Sequence, residues 1–224
     1  MRPRLLDVYS CAGGAGMGYF RAGFHVTGVD KEPQPNYPFR FIEADALEVL
    51  ADRKFLAQFD AIHASPPCQF RALATLSQRR RGKEYPDLIG PTRDLLEPLR
   101  VPWVMENVPD TPLRPDIRLC GCMFGLELPG IGYLNRERWF ETSWHGFELA
   151  LCHDHGETAV SVVGHGTPTW VRQKLGYNPT IAQYREAMGI DWMNRNELSQ
   201  AIPPPYAEHV GRALLEHLAA KEAA

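Results

Sequence analysis

Residues 5–18 read Leu-Leu-Asp-Val-Tyr-Ser-Cys-Ala-Gly-Gly-Ala-Gly-Met-Gly. The apolar run 5–9 predicts a β-strand, and the glycine-rich turn after it leads into a helix that we expect to continue through Arg21. Glycines in such a turn let the backbone approach a ligand closely, and the first N–H groups of the helix can bind it. The segment therefore predicts a strand–turn–helix unit with a ligand at the turn, although its glycines lack the strict dinucleotide spacing.

Short apolar runs and helical stretches alternate through the rest of the first half. The runs are residues 26–29, 39–42, 60–64 and 103–105, and the helical stretches include 47–55 and 87–99. Strands that alternate with helices in this way predict crossover connections and a parallel sheet, hence an α/β fold. In the second half, residues 180–188 and 207–220 are the best helices, and prolines 203–205 precede the last one, where a helix start tolerates them.

The composition excludes several classes of protein. Hydrophobic residues make up 44% of the chain and charged residues 23%, which argues against disorder, and no apolar run is long enough to span a membrane. Five cysteines, with no signal-peptide core before them, indicate reduced thiols in the cytoplasm. A net charge of −3 excludes a uniformly basic nucleic-acid binder, but residues 71–83 carry basic side chains and no acid, so one face could be positive.

Polar or reactive residues follow every predicted strand. Ligands of parallel α/β sheets bind beyond the carboxyl ends of the strands. In chain order these ends carry the glycine turn, Asp30, Asp45, the run 66–69 (Pro-Pro-Cys-Gln) and residues 106–107 (Glu-Asn). Any one of them would fit a capped helix or a turn, but all of them at one edge predict a binding site. Asp30 and Asp45 beside the glycine turn favour an adenosine-containing cofactor, whose ribose hydroxyls and adenine amine they could bind.

Cys68 and Glu106 are the candidates for chemistry at this edge. A free thiol is mostly protonated at neutral pH unless an arginine or a helix N-terminus lowers its pKa. Two prolines before Cys68 favour an exposed thiol over a buried, inert one. Glu106 follows apolar residues, so we expect a raised pKa and proton exchange with a base; the alternative is a structural carboxylate paired with an arginine. Arg136 and Arg138 alternate along a predicted strand and could serve either role.

These residues resemble the motifs of the cytosine-C5 DNA methyltransferase family, and they occur in the same order. The matching segments are 7–14 (first cofactor motif), 65–69 (nucleophile motif), 106–108 (catalytic glutamate motif), 136–138 (paired-arginine motif), and 185–189 and 199–203 (late motifs). The match covers most of the chain except about residues 141–177, and Pro-Cys-Gln followed by Glu-Asn-Val is its specific part. Cys11, Leu134 and Gln200 depart from the glycine, glutamine and asparagine that are usual in the family.

The resemblance implies a Rossmann-like, S-adenosylmethionine-dependent methyltransferase sheet with a small appended recognition segment. Residues 1–140 and 178–224 would form the catalytic domain, and residues 141–177 a reduced target-recognition segment, because the family normally carries a long region there. Small phage-borne members look similarly trimmed, which suggests a phage or prophage origin.

The resemblance also implies the reaction and its residues. Cys68 would add to C6 of a flipped-out cytosine in DNA, and C5 would receive a methyl group from S-adenosylmethionine. Glu106 would bind N3 and the exocyclic amine, Arg138 would hold O2, and Arg136 would brace Glu106 or the cysteine loop. The implied cofactor residues are Tyr9 (stacked on adenine), Ser10, Ala12, Gly13, Gly14, Asp30, Asp45, Pro66, Gln200 and Ala201. The implied DNA-binding residues are Gln69, Arg71, Arg79, Arg80, Arg81 and His165.

Other interpretations remain open. The protein could modify cytosine in tRNA or other RNA, transfer a group other than methyl because Cys11 and Gln200 differ, or be an inactive DNA-binding homologue, against which intact Cys68 and Glu106 argue. The basic residues 79–81 could be a solvated cluster, and residues 164–166 around His165 a plain turn. Zinc-type ligands occur at Cys120, Cys122, Cys152, His153 and His155, but their tight spacing favours buried thiols and exposed histidines, and we predict no metal site.

Overall fold

A computed structural model describes residues 1–70, 80–144, 160–162, 169, 172–173 and 176–223. The predicted α/β fold is confirmed, and its parallel strands are β1 (Arg4–Val8), β2 (His25–Asp30), β3 (Arg40–Glu43), β4 (Ala61–Ala64) and β5 (Trp103–Asn107). They lie in the order β3-β2-β1-β4-β5. The chain therefore winds outward from β1 to β3 and crosses back to β4, which places a topological switch point between β1 and β4.

The sequence predicted a parallel sheet, but part of the sheet is antiparallel. Beyond β5 it is extended by β6 (Ile117–Leu119) and β9 (Arg138–Thr142), with a separate hairpin of β7 (Glu127–Leu128) and β8 (Gly132–Tyr133) between them in the chain. β9 runs antiparallel to both β5 and β6. Only three residues form β6, too few to show a period. β9 also continues two residues into the segment 141–177.

The helices agree with the predicted pattern but differ at their ends. They are α1 (Gly14–Ala22), α2 (Ala46–Ala51), α3 (Arg53–Leu56), α4 (Ile89–Leu96), α5 (Ile181–Met188), α6 (Arg195–Gln200) and α7 (Pro204–Glu222). The predicted helix 47–55 is split because Asp52 ends α2 and its side chain caps α3. Helix α7 begins at the prolines rather than after them. Within the described ranges, no helix has both the length and the apolar character needed to cross a bilayer.

Two apolar layers enclose the sheet, one on each face. Leu5 and Val104 face the layer formed with α1 and α7, whereas Leu6 and Met105 face the layer formed with α2 to α4. Successive residues of a strand point to opposite faces, so the doubly buried strands β1, β4 and β5 are largely apolar, with Asp7 and His63 as buried exceptions. The polar ends of β2 and β5, at Asp30 and residues 106–107, lie at the edge that carries the site.

Candidate active site

The turn between β1 and α1 is held in an unusual backbone conformation. Tyr9 and Cys11 have positive φ values of 60° and 43°, and Gly13 has a φ of 83°. The left-handed region costs a non-glycine residue on the order of 1–3 kcal/mol, which explains why the family that the sequence resembles usually has glycine at the Cys11 position. Asp30 at the end of β2 stabilises this geometry, because its Oδ2 accepts a 3.0 Å hydrogen bond from the Cys11 N–H.

Glycines in this turn and in α1 are required for packing as well as for backbone freedom. A Cβ on Gly14 would lie 2.3 Å from the carbonyl oxygen of Ile202, and one on Gly18 would lie 2.3 Å from that of Pro204. The indole N–H of Trp192 donates to the Ala12 carbonyl over 2.8 Å. The segment before α7 is therefore fixed directly over the glycine turn. This packing brings the late motif, residues 199–203, next to the first cofactor motif, residues 7–14.

The predicted cofactor residues from the first half of the chain surround this turn. Tyr9 is partly buried, and its hydroxyl shares a 2.9 Å hydrogen bond with that of Thr92. Asp30 is buried and accepts from Cys11 and Glu32 N–H groups, while Asp45 is exposed and caps α2 through Oδ1. A carboxylate can accept further bonds beyond these. Ser10, Gly13, Gly14 and Pro66 are buried around the same turn.

Two departures from the family pattern contact each other. The Cys11 thiol lies 3.9 Å from Oε1 of Gln200, at the exposed end of α6. Burial, together with Asp30 and Asp7, raises the pKa of Cys11 to about 12, so it stays protonated and donates to the amide oxygen. Ala201, the next predicted cofactor residue, has its side chain buried in the core, so only its backbone could meet a ligand.

The cysteine loop follows β4, and two hydrogen bonds fix its first residues. The N–H of Ser65 donates to the Val8 carbonyl over 3.1 Å, and the side-chain amide of Asn107 donates to the Pro66 carbonyl over 2.8 Å. Cys68 is partly exposed, as the sequence predicted. Burial nevertheless raises its pKa, and the opposing effect of Arg138 does not outweigh it. Arg138 and Arg136 do lower the pKa of the thiol, as an arginine near it was expected to do, but the effect of burial is larger.

Glu106 lies beside this loop with its side chain 6% exposed. Its Oε1 is 3.1 Å from Nε of Arg138, yet it has no hydrogen-bond partner among the described residues. Burial raises the pKa of Glu106, against the lowering effects of Arg138 and of a hydrogen bond from Ser65. The predicted raised pKa is confirmed, and the alternative pairing with an arginine is also present.

Arg136 has partners other than those that the resemblance implied. The buried Arg136 guanidinium donates to carbonyl oxygens at the end of α6 and beyond, namely Leu198, Ser199 and Ala201, and to that of Val162. Burial and the neighbouring Arg138 lower its pKa to about 9. The last carbonyls of a helix lack intrahelical partners, so they attract this cation. Arg136 thus braces the late motif and not Glu106, and Arg138 is the residue that contacts Glu106.

A buried polar residue behind the cysteine loop was not predicted from the sequence. His63 lies in the apolar strand β4, is fully buried, and is hydrogen-bonded to Tyr19 and Ser65. A histidine in an otherwise apolar strand was the available signal.

The remaining predicted residues either lie outside the described part of the chain or are described by their exposure. Arg71, Arg79, His165, Cys152, His153 and His155 lie outside the described residues. Arg80 and Arg81 are exposed, and Gln69 is partly buried next to Cys68. Cys120 and Cys122 are buried, as the sequence favoured. No group of three or more metal-ligating side chains occurs in the described part of the chain.

The mostly parallel sheet matches the methyltransferase fold of solved structures that share low sequence identity with this chain. No protein-family model matches the sequence, and no curated protein matches it. A prophage-encoded protein of Escherichia coli, named as a DNA modification methyltransferase, is similar with a TM-score of 0.62 and 14% identity, over 96% of this chain and 99% of that chain.

Two eukaryotic methyltransferases have the same fold. The Dnmt2 methyltransferase of S. pombe gives a TM-score of 0.61 at 14% identity, over 97% of this chain and 99% of that one. The Entamoeba histolytica methyltransferase EhMeth gives 0.56 at 11% identity, with coverage of 97% and 99%.

Proposed function

We propose that this protein transfers a methyl group from S-adenosylmethionine to C5 of cytosine in DNA. The observation that carries the proposal is the convergence of Cys68, Glu106 and Arg138 at the carboxyl edge of β4 and β5, beside the glycine turn. The names of the similar structures support it, since each is a methyltransferase and one is a DNA modification methyltransferase.

The cofactor would be held by the turn and its surroundings. Helix α1 begins at Gly14, and its N-cap residue Gly13 has no side chain to cap it. The Gly16 N–H is taken by Asp7, so the N–H groups of Gly14 and Ala15 are the ones that suit an anionic carboxylate. Tyr9 offers a ring for the adenine, and Asp30 offers oxygens for the ribose hydroxyls. When bound there, S-adenosylmethionine supplies an electrophilic methyl group on a sulfonium centre.

Cys68 would provide the nucleophile. Cytosine C5 is a weak nucleophile by itself, but addition of the Cys68 thiolate to C6 makes C5 enamine-like and divides one difficult step into two easier ones. The raised pKa of Cys68 means that the thiolate must form when substrate binds, with Arg138 as the nearby cation that stabilises it. Once C5 carries the methyl group, its proton would pass to a water molecule, the C–H electrons would restore the C5–C6 double bond, and Cys68 would leave with the C6–S electron pair as the thiolate.

Glu106 and Arg138 would hold the base. A carboxyl group whose pKa is raised by burial is protonated more readily, and a protonated Glu106 can donate to N3 while its second oxygen accepts from the exocyclic amine. Arg138 would donate to O2. The Glu106 Oε1 atom, unbonded among the described residues, is the oxygen available for this.

DNA is the favoured substrate, with the exposed Arg80 and Arg81 as phosphate contacts, and the target nucleotide must be flipped out of the duplex at a cost of a few kcal/mol. Residues 141–177 remain our proposal for target recognition. A deletion of part of this segment should change the sequences that are modified while leaving adduct formation at a single-stranded cytosine intact.

The decisive experiment uses a duplex that contains 5-fluorocytosine, which cannot lose the C5 substituent, together with labelled S-adenosylmethionine. We expect a covalent protein–DNA complex that survives denaturation and that is absent in Cys68→Ser. Cys122→Ala, which alters a buried thiol away from the site, is the matched control and should still form the complex. Turnover by Cys68→Ser at the wild-type rate would refute the nucleophile assignment.

The substrate and the transferred group are tested in the same system. The same cytosine sequence is offered as DNA duplex, as RNA hairpin and as tRNA, and the product nucleoside is identified by mass. We expect 5-methyl-2′-deoxycytidine from DNA. Modification of RNA alone, or a product with a different added mass, would replace the proposed substrate or group.

A further inference from the structure

One buried ionisable side chain at the site has no role in the proposed chemistry. His63 lies in the middle of the sheet, on the strand that leads into the cysteine loop, and none of its surface is exposed. Its neighbours across the sheet are Asp7 in β1 and Val104 in β5. Burial of an imidazole among apolar residues is unfavourable unless both ring nitrogens find partners.

Both nitrogens of His63 have partners. Nδ1 is 3.0 Å from the Tyr19 hydroxyl of α1, and Nε2 is 2.8 Å from the Ser65 hydroxyl. His63 and Ser65 are two residues apart and therefore lie on the same face of the extended chain. Ser65 follows Ala64, which pairs with Met105 of β5, so Ser65 lies beside Glu106 on the neighbouring strand. A hydrogen bond from Ser65 lowers the pKa of the Glu106 carboxyl. Polar contacts thus lead from Tyr19 through His63 and Ser65 to Glu106.

The direction of these hydrogen bonds follows from the donors present. Burial lowers the pKa of His63 to about 3, so the ring is neutral and carries one N–H. An ionised Glu106 can only accept, so Ser65 donates to it and must itself accept from Nε2 of His63. Nδ1 then accepts from Tyr19, whose pKa is raised by burial so that it keeps its proton. Each group donates to the next, and the chain ends on the carboxylate.

We propose that His63 is a positioning residue that acts through Ser65: its Nε2–H fixes the Ser65 hydroxyl as a donor to Glu106. This inference deepens the proposed function and rests on it for the meaning of Glu106. The hydrogen bond orients the carboxyl group and favours its ionised form. His63 thereby opposes the effect of burial and sets the pH range over which Glu106 can take up and release a proton.

Other charged or titratable groups also act on Glu106 and must be kept constant in the test. Arg138 and Arg136 come from β9 and the segment before it, Cys68 from the loop after β4, and Tyr19 from α1. Asp7 of β1 faces Tyr19 and His63, and Tyr206 of α7 faces the two arginines. None of the variants below alters these side chains.

The test uses variants of His63 that either keep or remove an N–H donor at the position of Nε2. The amide N–H of His63→Gln can occupy the Nε2 position and donate to Ser65, whereas that of His63→Asn lies near Nδ1 and cannot. The readouts are the ¹³C NMR titration of Glu106, assigned by difference against Glu106→Gln, and the pH profile of kcat. We expect His63→Asn to move both midpoints to higher pH and to lower the plateau of kcat roughly 3- to 10-fold. His63→Gln should retain the wild-type midpoints.

Ser65→Ala completes the experiment. If His63 acts through Ser65, this variant shows the same shift, and the addition of His63→Asn to it moves the midpoints no further. A His63→Asn variant that lowers kcat equally at every pH without any shift, or shifts that add in the double variant, would overturn the proposal. Thermal unfolding of each variant gives the structural effect separately.

The two proposals fail in different ways. If the protein transfers no methyl group, the rate profile disappears but the NMR titration of Glu106 still reports whether His63 controls it. If methyl transfer is present and the titration is unchanged in His63→Asn, then only the role of His63 is refuted.

Discussion

Two buried glutamates on neighbouring strands of this sheet are each paired with an arginine, and they behave oppositely. Glu141 in β9 and Glu106 in β5 both have side chains that are 6% exposed. Glu141 accepts from Arg93 over 2.9 and 2.6 Å and from the Arg114 N–H over 2.9 Å. Glu106 has an ion pair of 3.1 Å with Arg138 and an oxygen without a hydrogen bond among the described residues.

The difference in partners decides the ionisation of each group. Burial by itself would raise the pKa of both carboxyls, and at Glu141 the hydrogen bonds from Arg93 and Arg114 outweigh it, so the pKa is lowered. At Glu106 burial prevails and the pKa is raised. Glu141 shows what a structural glutamate–arginine pair looks like in this protein. Because Glu106 lacks that set of donors, the contrast with Glu141 favours the proposed proton-exchanging role over a purely structural pairing.

The largest effect should come from Glu106→Gln. Gln cannot supply a proton to N3, and loss of a positioned general acid typically lowers kcat by about 10²–10⁴-fold. The fold should remain, since Gln fills the same volume. Single-turnover methyl transfer measures the effect, with the exposed Glu97→Gln as the control that keeps full activity. If Glu106→Gln kept the wild-type kcat, Glu106 would have no catalytic role that sets it apart from the structural Glu141.

Glu141→Gln should show the opposite pattern, with stability lost and chemistry kept. Removal of one partner from a buried ion pair costs about 3–5 kcal/mol, and Arg93 would lose its shortest ion pair. The folded pKa of Glu141 is lowered, so its contribution is present above the unfolded pKa of about 4.3 and is lost as the pH falls through the folded value.

Chemical denaturation at several pH values measures this contribution. The stability difference between wild type and Glu141→Gln should be full at pH 7 and should shrink in acid. At a temperature where both proteins are folded, kcat should be nearly equal. A stability difference that persists unchanged below the folded pKa would show that Glu141 stabilises the protein by something other than its charge.

Substitution of Arg138 should have a smaller effect and tests whether this arginine controls the ionisation of Glu106. Arg138→Gln removes the cation that lowers the pKa of Glu106, so the basic limb of the pH–rate profile should move to higher pH. Loss of the contact with the base should also reduce kcat/KM by roughly 10- to 100-fold, the value of a hydrogen bond to a charged group. Arg212→Gln, which breaks an exposed pair with Glu208, should change neither quantity. An unshifted profile in Arg138→Gln would place Glu106 outside the influence of this arginine.

Local patterns predicted most of the fold and the main site residues. The strand–turn–helix around Gly13, the loop with Cys68 and the strand that ends at Glu106 follow from apolar runs and turn residues that are contiguous in sequence. The Asn107–Pro66 hydrogen bond could not be predicted, because it joins two strand ends that are adjacent only in the sheet.

The missed features depend on tertiary contacts or on very short elements. The partners of Arg136 lie far along the chain, on carbonyls that become available only once α6 ends. β6 is too short for a period. His63 is visible in the sequence as a histidine in an otherwise apolar strand, but its bond to Tyr19 of α1 joins elements that meet only in the folded protein.

The smallest effect is expected at a third carboxylate, Asp45. One of its oxygens has a structural role, and the other is proposed to bind the cofactor. Oδ1 caps α2, and Oδ2 is the atom that could accept from an adenine amine. In Asp45→Asn the side-chain oxygen can still cap, since Asn and Asp are equivalent N-caps, while the amide puts a donor where Oδ2 was. We expect stability to change by less than about 0.5 kcal/mol and S-adenosylmethionine affinity, measured by calorimetry, to fall roughly 3- to 10-fold. Asp45→Ala, which loses the cap as well, should cost about 1 kcal/mol of stability. Unchanged affinity in Asp45→Asn would show that Asp45, like Glu141, has a structural role only and does not bind the cofactor.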